Sequence, residues 1–236
     1  MSKSDVNLKI DWASHEAAKY ACEHWHYSKC MPAGKIVKIG VWENDYFIGC
    51  VLFSRGANNN LPKMFNLKHT ECVELVRVAL RSHISSVSKI ISIALKFLKK
   101  LCPEIRLVVS YADTNQGHIG AIYQAGNWVY SGGSDAQSIY INGIKFHARS
   151  ISSKYGTASI DELLKRGINA ERKKDAIKHR YLMPLDKEMR KQIIKLAKPY
   201  PKKSCPIGVT GNTSDSQSED GGSNPTVGLN SKITNG

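Results

Sequence analysis

Three stretches of this 236-residue chain carry side chains that could do chemistry. The first runs from Ser110 through Tyr111, Asp113, Thr114 and Asn115 to Tyr123, Gly126 and Trp128. It follows an apolar run, residues 105–109, that reads as a buried strand. Ser110, Tyr111 and Asp113 therefore fall at a strand's C-terminal end, where α/β folds gather their sites. Each alone could equally be a turn or cap residue, and Tyr123 a packed core tyrosine with one hydrogen bond. The second stretch is Cys22-Glu-His24-Trp-His26-Tyr27-Ser28-Lys-Cys30. Helical spacing brings Cys22 and His26 to one face. No Cys-x-x-Cys and no second Cys/His pair stands at structural-zinc spacing, so His26 and Tyr27 read as site residues or as a loop cap. The third is Arg55-Gly-Ala-Asn58-Asn59-Asn60. An asparagine amide matches the N6/N7 edge of adenine, and loop asparagines are also ordinary turn formers.

The elements around these stretches follow from periodicity. Residues 7–12 suit a first strand. Residues 15–26 suit a helix capped by Ser14, with Ala17, Ala18, Ala21, Cys22 and Trp25 on one face. Ile36 to Trp42 and Tyr46 to Ser54, split by Glu-Asn-Asp, read as an antiparallel hairpin. Glu71 to Leu80 is nearly continuous apolar and reads as a central strand. Ser85 to Leu101 is amphipathic, with Val87, Ile90, Ile91, Ala94, Leu98 and Leu101 on one face and Pro103 forbidding continuation. Asp113 and Thr114 can cap a helix running to Ala125, with Gly126 as its stop. Asn142-Gly143 signals a hairpin turn. Further on, Ser159 to Glu162 reads as a capping box, and residues 171–179 and 186–197 as basic helices. The order predicts a mixed α/β fold: a central mixed sheet flanked by helices over residues 1–150, a basic helical extension over 151–203, and a disordered tail from Ser204. If two parallel strands enclose the Ser85 helix, its first free N–H groups form an anion site. A serine-capped helix and nothing more is the competing reading.

Composition bounds the rest. With 42% hydrophobic and 23% charged residues, the chain can build one core with appendages. No apolar run approaches a membrane span, and the first residues lack a secretory segment, so a cytoplasmic location and reduced thiols are expected. The net charge is +14. From Lys145 to Lys203 there are 17 Lys and Arg against 6 Asp and Glu, which gives +11. So concentrated a basic block favours a nucleic-acid partner, although many basic proteins bind nothing in particular.

The sequence of strand, polar turn, short helix, glycine and aromatic, with Asn115 near the helix start and Tyr123 three residues before Gly126, resembles the last third of a GNAT-type acyltransferase. That resemblance implies coenzyme A at the helix start, with Val78, Leu80, Arg81, Ser85, Ser86, Val87, Ser88 and Asn115 as donor-binding residues. It also implies Tyr123 as the acid that protonates a departing thiolate. The glycine-rich turn usual in that family is replaced here by Arg81-Ser-His-Ile-Ser-Ser-Val-Ser88. Five segments together resemble the phage Mom family of DNA adenine modification proteins: residues 26–32, 53–60, 74–80, 110–128 and 179–185. The resemblance implies conversion of adenine in double-stranded DNA to its N6-carbamoylmethyl form, with protection from restriction, acetyl-CoA as the small-molecule donor and iron as a further suggestion. It implies a pocket for a flipped base lined by His26, Tyr27, Arg55, Asn58, Asn59, Asn60, Ser110, Asp113 and Tyr123. Lys173, Lys174 and Arg180 would contact phosphates. Plain acyl transfer from acetyl-CoA bonds the carbonyl carbon, whereas a carbamoylmethyl group is attached through its methylene. Two other functions stay open: an N-acetyltransferase for a protein or small molecule, and a non-catalytic basic DNA-binding protein on an acyltransferase fold.

Overall fold

A computed structural model describes residues 6–32, 34–55, 60–134, 137–146 and 148–202. Asn58, Asn59 and the tail from Ser204 lie outside the described residues.

The hairpin is built as its turn residues dictate. β2 (Ile36–Glu43) and β3 (Tyr46–Ser54) pair antiparallel. Asn44 and Asp45 between them take φ of 49° and 68°, the left-handed pair that a two-residue turn requires. β1 (Leu8–Trp12) pairs with β2, and α1 (His15–Trp25) follows it, its start held by the Ser14 hydroxyl accepting the Ala17 N–H at 3.1 Å. β4 (Cys72–Leu80), α2 (Val87–Leu101) and β5 (Leu107–Asp113) form the parallel crossover unit. The short helix α3 (Ala121–Gln124), β6 (Val129–Ser134) and the hairpin β7 (Gln137–Ile141) and β8 (Ile144–Phe146) come next. The chain then forms α4 (Ala148–Tyr155), α5 (Ile160–Lys165), β9 (Ala170–Lys174), β10 (Lys178–Pro184) and α6 (Lys187–Ile194).

Two sheets result. The larger has the order β1-β2-β3-β4-β5-β10-β6, and the smaller the order β8-β7-β9. Among the described residues, β4 and β5 are the one strand pair that runs parallel. The apolar stripe of α2 (Ile90, Ile91, Ala94, Leu98) packs with Val73, Leu75 and Val108 on one face of the large sheet. On the other face α1 packs over Cys50, Leu52 and Ala79, and Met189 and Ile193 of α6 over Leu107, Val109 and Leu182. The mixed sheet flanked by helices is thus the architecture the sequence predicts. The small sheet has its own cluster, in which Ile139, Ile141 and Ala170 meet Ile151 and Leu163.

Three local expectations are corrected. The helix expected from residue 113 to 125 is broken into a 3₁₀ turn over Thr114–Gln116 and the four-residue α3. Gly117 and Gly120 take φ of 66° and 80° and interrupt it. The basic helix expected over 171–179 is instead β9 and the start of β10. Pairing with β7 and β5 satisfies those backbones and outweighs local propensity. The capping box at Ser159 is not made: α5 starts there with no side-chain cap bond.

Candidate active site

The parallel ladder between β4 and β5 ends at Leu75 and Ser110. Beyond that point β4 stays with β3 up to Leu80 and β5 with β10 up to Asp113, so the two strands part. A cleft of about 550 Å³ opens in the gap, a size that suits one small ligand. Its walls are Val76–Val78 of β4, Tyr111–Asp113 of β5, Trp25–Tyr27 at the end of α1, and the 117–123 segment.

Hydrogen bonds fix the floor. Ser110 Oγ lies 2.9 Å from the Leu75 carbonyl and 2.8 Å from the Tyr123 hydroxyl. A carbonyl only accepts, so the single Ser110 proton goes to Leu75 and Tyr123 donates to Ser110. Burial pushes the Tyr123 phenol up to about 12, so it is neutral near pH 7. The thiolate-acid role that the resemblance implies would require Tyr123 to leave Ser110.

The far wall comes from the end of α1. His26 is its C-cap with φ −113° and ψ 141°, which takes the ring off the helical spacing with Cys22. The Ser28 N–H donates to His26 Nδ1 at 3.1 Å, which leaves the ring proton on Nε2. Burial, with Arg77 and His118 adding to it, draws His26 down to about 4. His26 is thus a neutral hydrogen-bond donor. Its ring lies 4.2 Å from that of Tyr27, which is half exposed and itself meets His118 at 5.8 Å. Burial, and then the Asp113 charge, raise the Tyr27 phenol. Asp113 Oδ1 accepts the Asn115 N–H at 3.0 Å, and Oδ2 faces Lys178 at 3.8 Å.

Arg77 in the wall and Glu74 beside it carried no sequence signal beyond interrupting an apolar run. A one-residue register shift sets Leu52 opposite Arg77 but Phe53 opposite Leu75, so Val76 is extra. That bulge puts Glu74 and Arg77 on the same face, away from Leu75 and Val78 on the α2 side. Arg77 Nη1 returns to the Val76 carbonyl at 2.8 Å, and its buried Nε has no hydrogen-bond partner among the described residues. Burial raises the Glu74 carboxyl, with Arg77 and Lys178 opposing. The 117–121 segment is held from behind by Tyr181, whose hydroxyl donates to the Ile119 carbonyl and accepts from Gln124 Nε2 at 3.1 Å.

The structure therefore brings His26, Tyr27, Ser110, Asp113 and Tyr123 together, with Val78 in the same wall. Leu80 and Val87 pack against the α2 core. Arg81 lies 5.8 Å from the Trp25 ring centre. Ser86 caps α2 through the Lys89 N–H, and Ser88 lines a separate groove of about 410 Å³ beside α2. Asn115 sits in the exposed turn that bonds Asp113. Ser85 and Ile84 do not offer free N–H groups: the Glu43 carboxylate takes both, at 2.6 and 2.9 Å. Arg55 is exposed just past the end of β3, and Asn60 is exposed ahead of the 3₁₀ turn Pro62–Phe65. Lys173 and Lys174 stand on β9, Lys173 paired with Glu171 at 2.6 Å. Arg180 is on β10, its Nε donating to Ser131 Oγ at 2.8 Å. Among the described residues, no three His, Cys, Asp or Glu side chains come together to hold a metal. With Nδ1 of His26 taken by the Ser28 N–H and Oδ1 of Asp113 by the Asn115 N–H, this wall offers too few free ligand atoms to fit iron. No helix among the described residues is long and apolar enough to cross a membrane.

The Mom protein family model matches residues 7–202. The methylcarbamoylase Mom of Escherichia phage Mu is 27% identical over 208 residues, covering 83% of this chain and 84% of that protein. A Bacillus subtilis acetyltransferase solved in complex with CoA is 11% identical with a TM-score of 0.38, covering 77% of this chain and 99% of that one. A putative acetyltransferase from Acinetobacter baylyi is 12% identical with a TM-score of 0.42, covering 84% and 99%.

Proposed function

The chain belongs to the Mom protein family, and from that premise we propose that it is a transferase that modifies adenine in double-stranded DNA at N6, giving the carbamoylmethyl base that protects phage DNA from restriction. The observation that carries the reading is the cleft between the parting strands. It sets a carboxylate, a neutral imidazole and a half-exposed phenol around one space. An adenine flipped out of the duplex needs a stacking surface, an acceptor for its N6 hydrogens and a donor for a ring nitrogen. The Tyr27 ring, Asp113 and the His26 Nε2–H supply these in turn. Adenine N6 is a weak nucleophile because its lone pair is delocalised into the ring. Asp113 beside it would take the N6 proton as the bond from N6 to the donor's methylene forms and the donor's leaving group departs with the electron pair of the bond that breaks. Arg77, with Nε unsatisfied, would hold the carbonyl end of the donor. Tyr123 and Ser110 would fix the floor on which donor and base meet.

The partner is duplex DNA, drawn by the basic block of residues 145–203 through contacts to phosphates that are strong, salt-sensitive and sequence-independent. In this reading residues 1–150 carry the chemistry and residues 151–203 contact DNA. The donor is an activated small molecule. Acetyl-CoA is the one the resemblance names, and the residues at the start of α2 bear on it directly.

Mass spectrometry of nucleosides from cells expressing the protein tests the proposal. Wild type is expected to yield modified adenine, and Asp113→Ala and Tyr123→Phe to yield much less. An unmodified adenine pool with soluble wild-type protein would overturn it.

A further inference from the structure

The start of α2 is where a diphosphate would be expected to sit, because helix N-termini present unpaired N–H groups and a favourable dipole. In this protein that position already holds an anion. Glu43 is the last residue of β2, and its side chain reaches across to the turn before α2. Oε2 accepts the Ile84 N–H at 2.9 Å, and Oε1 accepts the Ser85 N–H at 2.6 Å. Both carboxylate oxygens are used, so both N–H groups are consumed. Glu43 is only 6% exposed. Burial works against its charge, but the two N–H bonds hold the carboxyl below the usual range, so it is ionised near pH 7. One turn into the helix, the Lys89 N–H belongs to the Ser86 hydroxyl. The turn is also clamped from behind, since the Arg81 N–H donates to the Ile48 carbonyl at 2.9 Å. No glycine stands between Arg81 and Ser88 to let a phosphate approach the backbone closely.

We propose that Glu43 is a specificity-determining residue that fills the anion site at the start of α2, so that the donor used in the cleft is one held without a diphosphate there. The inference rests on the transferase reading above and narrows its donor. A diphosphate entering this turn would have to displace Glu43 or lie beside it. The first leaves a buried carboxylate without its donors, and the second sets like charges together where water screens them poorly. Recognition of the donor then falls to the cleft itself.

Calorimetric titration of the full chain with CoA and with pantetheine, which shares the thiol arm but lacks the diphosphate, tests this. Wild type is expected to prefer CoA by less than about tenfold. Glu43→Ala, which removes the anion and opens both N–H groups, is expected to raise CoA affinity by at least about tenfold while leaving pantetheine unchanged. Glu43→Gln removes the charge but keeps an acceptor, and serves if the alanine variant fails to fold. In wild type the amide resonances of Ile84 and Ser85 should not move when CoA is added. A wild-type preference for CoA of tenfold or more, movement of those two resonances, or no gain in a folded variant would each overturn the proposal. Modified adenine measured in the same cells separates the outcomes: its presence with a strong wild-type CoA preference sinks only the role of Glu43, and its absence sinks the transferase reading.

Discussion

On the floor of the cleft and in the turn beside it, the polar groups have fixed partners. Tyr123 donates to Ser110 and Ser110 to Leu75, Asp113 holds the Asn115 N–H, and Tyr181 holds Ile119. On the small sheet the basic side chains stand in water. Lys173 and Glu171 meet at 2.6 Å with side chains 52% and 51% exposed, a pair worth little to folding. One exception ties the small sheet down: Asp175 accepts from Ser138 and Lys145, each at 2.6 Å, and the neighbouring Ile177 carbonyl accepts from Thr114 at 2.7 Å. The contrast separates two kinds of work. A site that moves a proton requires preorganised geometry. A surface that meets phosphates requires charge within reach and tolerates loose side chains.

Substitutions in the cleft should therefore remove activity with a structural signature, and those on the small sheet should change salt dependence alone. The largest effect is expected at Gly120. A Cβ there would lie 2.3 Å from the Tyr181 ring, and φ is +80°. Gly120→Val should lower stability by about 3 kcal/mol in denaturant melts and abolish adenine modification, because the cleft wall cannot close over Tyr181. Asp113→Asn should keep the fold, since its Oδ1 still accepts the Asn115 N–H, yet lower the modification rate by about 10²–10⁴-fold in a single-turnover assay. Ser110→Ala should cost about 1–3 kcal/mol because it leaves Leu75 and Tyr123 without their partner. A Ser110→Ala protein as stable as wild type would break the claim that the floor is fixed by hydrogen bonds.

On the other side of the comparison, Lys173→Glu with Lys174→Glu should leave the melting temperature unchanged. The slope of log affinity for duplex DNA against log salt should flatten by up to about two units. Arg180→Glu belongs with the cleft in this respect, because its Nε is bonded to Ser131 inside the large sheet. It is expected to lower stability as well as binding. Equal melting temperatures for the two variants would erase the distinction between the regions.

Much of the large sheet was legible in the sequence because its signals are local. Asn44-Asp45 forces a turn, and the stripe of α2 has only one face to bury. The cleft residues were legible as types at a strand end. What escaped was set by pairing across long sequence separations. The bulge at Val76, which aims Arg77 into the cleft, depends on register with β3. The insertion of β10 between β5 and β6 turns a basic stretch into an inner strand. The carboxylate of Glu43 meets N–H groups 41 and 42 residues away. Gly117 and Gly120 were a readable sign that the helix after Asp113 breaks, since two glycines three apart inside a helical pattern mark left-handed backbone.

The last expected effect is in pH, and it orders the two regions. His26 titrates at about 4 in the folded protein against 6.5 in the unfolded chain, so between those values the unfolded chain binds more protons. Stability should therefore fall as pH drops from 6.5 towards 4, through a residue of the cleft. His179, lowered by burial, adds a contribution of the same sign. Asp175 on the small sheet is depressed below its ordinary value of 3.8, mainly by the Lys145 and Ser138 bonds. Its contribution is complete above 3.8 and is lost only as pH falls further. The cleft should thus loosen at a higher pH than the anchor of the small sheet. Denaturant melts of wild type and His26→Asn across pH 4 to 7 measure the first limb, which the variant should flatten. An unchanged limb would place the titrating group at His179 and detach the end of α1 from the stability of the cleft.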